Sequence, residues 1–371
     1  MEVGVFTGNF EEKRKHSTVS HHLVMTILFN LFLAAALCAG CVLGASYVWD
    51  SEIPARLQWL HNDGYCGEVS AIMAMLKYGQ YMSQYDFRAI SSQYAVIGNP
   101  SKPQQSEFYL VGSNDQNSTA AIKLNWIEYD HDVRDAKQYL AWVKKMVRKG
   151  YAVTICVYMN YYLFYGANDV SAGSWDYDHI VSVSRIESNY DDDLYHDDDV
   201  IVMEDHGLWA PRTKPIQYLF SYTFAEFPAT REGANARLGE KIYSLPSSVT
   251  AGQFGIAHTG IMDDNGDCLP VRVDTNVNYE DPEIDNHSET RPASMEIKLT
   301  ITVSGIQQGV SYTLYKYDNE NDVPTAKFNA NKAKAVSSIT FVDPGTHSFV
   351  TTETIKSSQK VFYRCVRADA N

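Results

Sequence analysis

The hydrophobic period of this chain changes at Lys149-Gly150, and that change restricts the fold more than any other feature. Before it, apolar residues recur at helical spacing. Val69, Ile72, Met73, Leu76 and Tyr81 predict a helix over 66–82 with Cys66 on its first turn. Tyr139, Leu140, Trp142, Val143, Met146 and Val147 predict a second over 135–149, with Lys and Arg on its other face. After it, the apolar runs 151–159, 179–186 and 199–204 read as strands. Helices first and strands afterwards specify an α+β domain.

Composition shifts again near Ser247. From Met295 onward, EIKLTITVSG, VSYTLYKY, SSITFVD, HSFVTTETI and KVFYRCVRA are separated by turn signals at Gly305, Gly309, Asp318-Asn319 and Asp343-Pro344-Gly345. Short alternating strands at that spacing predict a β-sandwich of immunoglobulin or fibronectin III character. A chain of 371 residues has room for two such units. The expected division is an α+β domain over 46–246, then a linker and sandwich over 247–371. Trp209, Tyr218, Phe220, Tyr222, Phe224 and Tyr243 are expected to complete the first sheet or cover its cleft.

Residues 23–45 read LVMTILFNLFLAAALCAGCVLGA after Lys13, Arg14 and Lys15. Residues 1–45 are therefore expected to be a signal peptide or an uncleaved signal anchor, and both put the remainder outside the cytosol. Asn117 and Asn286 open glycosylation sequons. Thirty-one Lys and Arg against forty-five Asp and Glu give a net charge of −14, which opposes nucleic acid and anionic membrane surfaces as partners. Membrane attachment would come through the N-terminal segment alone. Cys156, inside a core strand, is expected to be a buried free thiol, leaving Cys268 and Cys365 to form a disulfide. The runs Asp191-Asp192-Asp193 and Asp197-Asp198-Asp199 read as a solvated hairpin loop, and 263–267 as a turn. No zinc spacing or phosphate loop occurs, so neither a metal nor a cofactor is expected.

Three residues point to nucleophilic chemistry. Cys66 opens a helix, where unpaired N–H groups favour a thiolate. His179 opens a strand and Asp205 closes the next, so antiparallel pairing would set them side by side. A thiolate, an imidazole that moves its proton and an acceptor that fixes the tautomer are what acyl transfer through a thioester needs. Each residue alone is more often a packed, capping or turn-forming group. Their order and element context make the case.

Asp63-Gly64-Tyr65-Cys66-Gly67-Glu68, Asp178-His179-Ile180-Val181-Ser182-Val183 and Met203-Glu204-Asp205 together resemble the papain-like cysteine peptidases, and more narrowly the bacteriocin-processing type. The resemblance spans roughly 50–225. It implies Cys66 as nucleophile, His179 as general base and acid, and Asp205 as orienting acceptor. The family's oxyanion Gln, six residues before the Cys, is here Leu60; Gln58 and Asn62 are the amides at hand, and losing one oxyanion donor costs ~10²–10³ in turnover. The expected activity is a cysteine hydrolase cleaving peptide or amide bonds in a peptide or protein substrate. The alternative is a degenerate papain-like module that binds peptides at a surface.

Overall fold

Ala152–Met159 is buried at every position, which a strand can satisfy only at the middle of a sheet covered on both faces. The computed structural model, which describes residues 47–59, 64–95, 101–105, 108–209, 218–236, 241–247, 251–276, 291 and 294–370, puts it there. The nine-stranded sheet runs Leu124–Glu128, Gly255–Ile261, Ala152–Met159, His179–Ser188, Val200–Glu204, Leu219–Thr223, and the pairs along this path are antiparallel. Tyr47–Asp50 pairs with the far end of the His179 strand, and Tyr243–Pro246 with the end of the central strand. Six α-helices are described: Cys66–Lys77, Gln84–Ser91, Asp115–Ala121, Ala136–Arg148, Tyr161–Tyr165 and Arg231–Ala234. The protein is thus mixed α+β with antiparallel sheets.

Pleat alternation sorts the central strands between two helices. Cys156, Ile180 and Ile256 face the side where Cys66–Lys77 packs. Val153, Ile155, Val157, Val181 and Val183 face Leu140, Val143, Met146 and Val147 of Ala136–Arg148. The latter helix is amphipathic, as its sequence requires, whereas Cys66–Lys77 is buried from Gly67 to Leu76. A helix apolar all round needs cover on both sides. The second cover is the three-stranded sheet Val271–Thr275, Glu296–Ser304, Ser348–Lys356, whose Val273, Ile297 and Leu299 join the same apolar cluster.

The runs expected from 295 onward form strands Glu296–Ser304, Ser311–Tyr317, Ser337–Val342, Ser348–Lys356 and Val361–Arg367. They divide between that three-stranded sheet and a five-stranded one ordered Cys268–Leu269, Val361–Arg367, Ser311–Tyr317, Ser337–Val342, with Gln80–Tyr81 beside Val361–Phe362. The helix expected to reach residue 82 stops at Lys77. Gly79 has φ +74°, and a Cβ there would meet Val271 Cβ at 2.8 Å, so the chain turns and Gln80–Tyr81 continue as strand. Gly255–Ile261, expected in the linker, is a strand of the larger sheet. Residues 47–371 form one compact unit. Cys268 and Cys365 carry free thiols. Cys268 stands opposite Val366 and Leu269 opposite Cys365, so the pleat sends the two thiols to opposite faces.

Among the described residues no helix is long and apolar enough to cross a membrane. The apolar run 23–45 and the sequon at Asn286 lie outside them.

Gly67 sets how closely the Cys66 helix approaches the rest of the protein. A Cβ there would lie 2.2 Å from the Tyr109 carbonyl oxygen and 3.1 Å from Ile180 Cδ1. Gly67→Ala should therefore destabilise the fold by ~1–3 kcal/mol through overpacking, despite alanine's better helix propensity. Urea unfolding checks this, and a variant as stable as the parent would show that the contact is looser than it looks.

Candidate active site

Cys66 begins its helix, and the turn before it is held by a buried ion pair. Glu68 and Arg88 have fully buried side chains, with Arg88 Nε 2.8 Å from Glu68 Oε1 and Nη2 3.2 Å from Oε2. The Tyr109 N–H also donates to Oε1, at 3.0 Å. Arg88 donates in addition to the Gly64 carbonyl and lies over the Tyr65 ring, 3.6 Å from its centre. One guanidinium thus fixes the two residues that lead into Cys66.

Cys66 as a residue is half-buried. Burial pushes its pKa up to about 11, the Glu68 charge acts in the same direction, and the Ile180 N–H, Arg88 and the Gly67 N–H pull it down by less. Helix-assisted ionisation, expected from the sequence, is therefore outweighed by desolvation. Cys66 rests as a thiol.

His179 lies at the first position of its strand, anchored by the residue before it. Asp178 accepts the N–H groups of Ser174 at 2.7 Å and Met159 at 3.0 Å and pairs with buried Arg231. The imidazole stacks on Tyr243, 5.6 Å between ring centres at 26°. Its Nε2 lies 3.3 Å from the main-chain oxygen of Asp205, so this nitrogen carries the proton and Nδ1 is the basic one. Burial lowers its pKa to about 4, with the Asp205 carbonyl opposing, and the ring is neutral.

The strands of His179 and Asp205 do pair antiparallel, with a bulge between Val183 and Arg185. The carboxylate of Asp205 nevertheless has other partners. Oδ1 accepts from Gly207 N–H at 2.9 Å, and Oδ2 from Trp209 N–H and the Tyr243 hydroxyl, both at 2.9 Å. The expected carboxylate contact to the imidazole is replaced by a carbonyl contact, because the turn's own N–H groups and Tyr243 occupy both side-chain oxygens. Burial raises the carboxyl to about 6.

Among the described residues no hydrogen bond joins the Cys66 thiol to the His179 ring. Ile180, the next residue along the strand, faces the Cys66 helix and offers its N–H to the sulfur.

Of the two oxyanion candidates, Asn62 lies outside the described residues and Gln58 is firmly placed. Its N–H donates to the His206 carbonyl at 3.0 Å. Buried Gln84 clamps its neighbours, accepting from Trp59 N–H and donating to the Leu57 carbonyl, both at 3.0 Å. The Gln58 amide nitrogen lies 3.4 Å from where a Cβ on Gly64 would sit, so it reaches the Cys66 turn.

The sequence assigned no role at the site to Glu68, Arg88, Gln84, Ser70 or His206, and Tyr243 was expected only among the aromatics that complete the sheet or cover its cleft. A carboxylate within an apolar helical run was the available signal for Glu68. Elsewhere, Cys156 is a buried free thiol, and Asn117 is exposed on Asp115–Ala121. The acidic loop is organised by cations: buried Lys144 lies 2.9 Å from Asp199, and Arg148 pairs with Asp191 and Asp193.

Comparison with protein-family models, curated proteins and solved structures finds no match to this chain.

Glu204, next to Asp205 and 5% exposed, has its pKa raised to about 7 by burial and by the Asp205 charge, with the Arg56 N–H opposing. A folded-state pKa above the unfolded ~4.3 means that stability falls as pH rises from the lower value through the higher. Glu204→Gln should therefore gain stability over the parent at pH ~8 and gain little at pH ~4. An equal difference between the two urea midpoints at both pH values would show that Glu204 does not titrate as stated.

Proposed function

We propose that the protein is a cysteine hydrolase acting on peptide or amide bonds through a Cys66 thioester, in a papain-like arrangement. One observation carries the reading: the Ile180 N–H lies at the Cys66 sulfur, directly after His179, whose protonated nitrogen is held by the Asp205 main chain. Held in this tautomer, His179 keeps Nδ1 as the base that would take the thiol proton and later return it to the leaving amine. Gln58 is the side-chain donor for the oxyanion. In this reading the two C-terminal sheets are an immunoglobulin- or fibronectin-like sandwich, and residues 1–45 direct the chain out of the cytosol.

Thiol and imidazole are both neutral at rest, so the ion pair must form when a bound substrate brings the groups together. The missing thiol–imidazole hydrogen bond also favours the second reading, a peptide-binding module that does not turn over.

Incubating the full chain with a mixed peptide library separates the two. The hydrolase reading expects cleavage that is abolished in Cys66→Ala and His179→Ala and reduced ~10²–10³-fold in Gln58→Ala. Retention of peptides without cleavage, unchanged in Cys66→Ala, would overturn it in favour of binding.

A further inference from the structure

His206 has an unusual combination of properties. It is fully buried, its φ is +57°, and its Nδ1 has no hydrogen-bond partner among the described residues. A non-glycine residue in the left-handed region costs on the order of 1 kcal/mol and persists only where the surroundings over-determine it. Here the surroundings are specific. Ser70, one turn along the helix from Cys66, donates its hydroxyl proton to the Cys66 carbonyl at 2.8 Å. Its oxygen lies 2.7 Å from His206 Nε2. A hydroxyl has one proton, so Ser70 accepts at this second contact and His206 is the Nε2–H tautomer.

The left-handed turn at His206 directs two successive carbonyls. That of Asp205 points to His179 Nε2, and that of His206 accepts the Gln58 N–H. Gly207 continues the turn at φ +81°, and a Cβ there would meet Leu57 Cδ2 at 2.8 Å. One residue therefore touches the neighbourhoods of Cys66, His179 and Gln58 together.

We infer that Ser70 and His206 form a positioning pair: the Ser70–His206 hydrogen bond holds the Asp205-His206 turn in its left-handed conformation, and the turn in turn holds the His179 tautomer. The role deepens the hydrolase reading and rests on it, but the hydrogen bonds that define it are present without substrate. Neither residue touches the reacting atoms.

The test is the tautomeric state of His179, read by nitrogen-15 spectra of histidine-labelled full-length protein and assigned with His179→Ala. In the parent His179 should be a single Nε2–H tautomer. Ser70→Ala and His206→Leu should convert it to a mixture while the unfolding midpoint stays near that of the parent. His206→Gln, which keeps a donor close to the Nε2 position, should restore the single tautomer. A purely structural role would not distinguish Gln from Leu this way. A single tautomer in both Ser70→Ala and His206→Leu overturns the proposal, and so does failure of His206→Gln to restore it. If His206→Leu does not fold, Ser70→Ala decides alone. Failure of the hydrolase reading would show separately, as absence of peptide cleavage by the parent.

Discussion

The arrangement around Cys66 depends on the Glu68–Arg88 pair. Neither charge is exposed, and a buried charge without its partner is strongly destabilising, so the two groups must be placed together or not at all. Satisfying them commits Gly64, Tyr65 and the Tyr109 main chain to one geometry. Arg88 lies on the eight-residue helix Gln84–Ser91, one turn after Gln84, and residues four apart share a helix face. From that face Gln84 clamps the chain on either side of Gln58 while Arg88 holds the turn into Cys66. This short helix thus sets two candidate catalytic groups relative to each other.

Desolvation is the second governing effect. It raises the Cys66 thiol and the Asp205 carboxyl and lowers His179, in each case exceeding the hydrogen bonds or charges acting the other way, and it lowers His206 together with the neighbouring His179. At neutral pH Cys66, His179 and His206 are accordingly uncharged, while Asp205, at about 6, is a carboxylate held by Gly207, Trp209 and Tyr243. A hydrolase and a binding module share this resting state and differ in what the ligand brings about.

Much of this was legible in the sequence because it is periodic. The central strands, the Ala136–Arg148 helix and the five strands after residue 295 follow from apolar spacing, and Cys66, His179 and Asp205 stand out by their order along the chain. Three features were not legible, each for a physical reason. Gly255–Ile261 enters the larger sheet by pairing with strands a hundred or more residues away, and no local pattern encodes a partner at that distance. The Glu68–Arg88 pair joins two helices across a turn, and only packing brings them together. The role of Asp205 passes from its side chain to its carbonyl, because main-chain direction depends on the positive φ of His206, which a His-Gly dipeptide suggests only as a turn.

In the free protein Cys66 and His179 are both neutral. The most direct measurement is the ultraviolet absorbance of the thiolate, titrated in the parent and in Cys66→Ala so that the difference isolates Cys66 from the other thiols. The expected result is no thiolate difference at neutral pH and its appearance only near a pKa of about 11. A thiolate already present below neutral pH, lost together with His179, would mean that the ion pair exists at rest and that the two groups are not neutral.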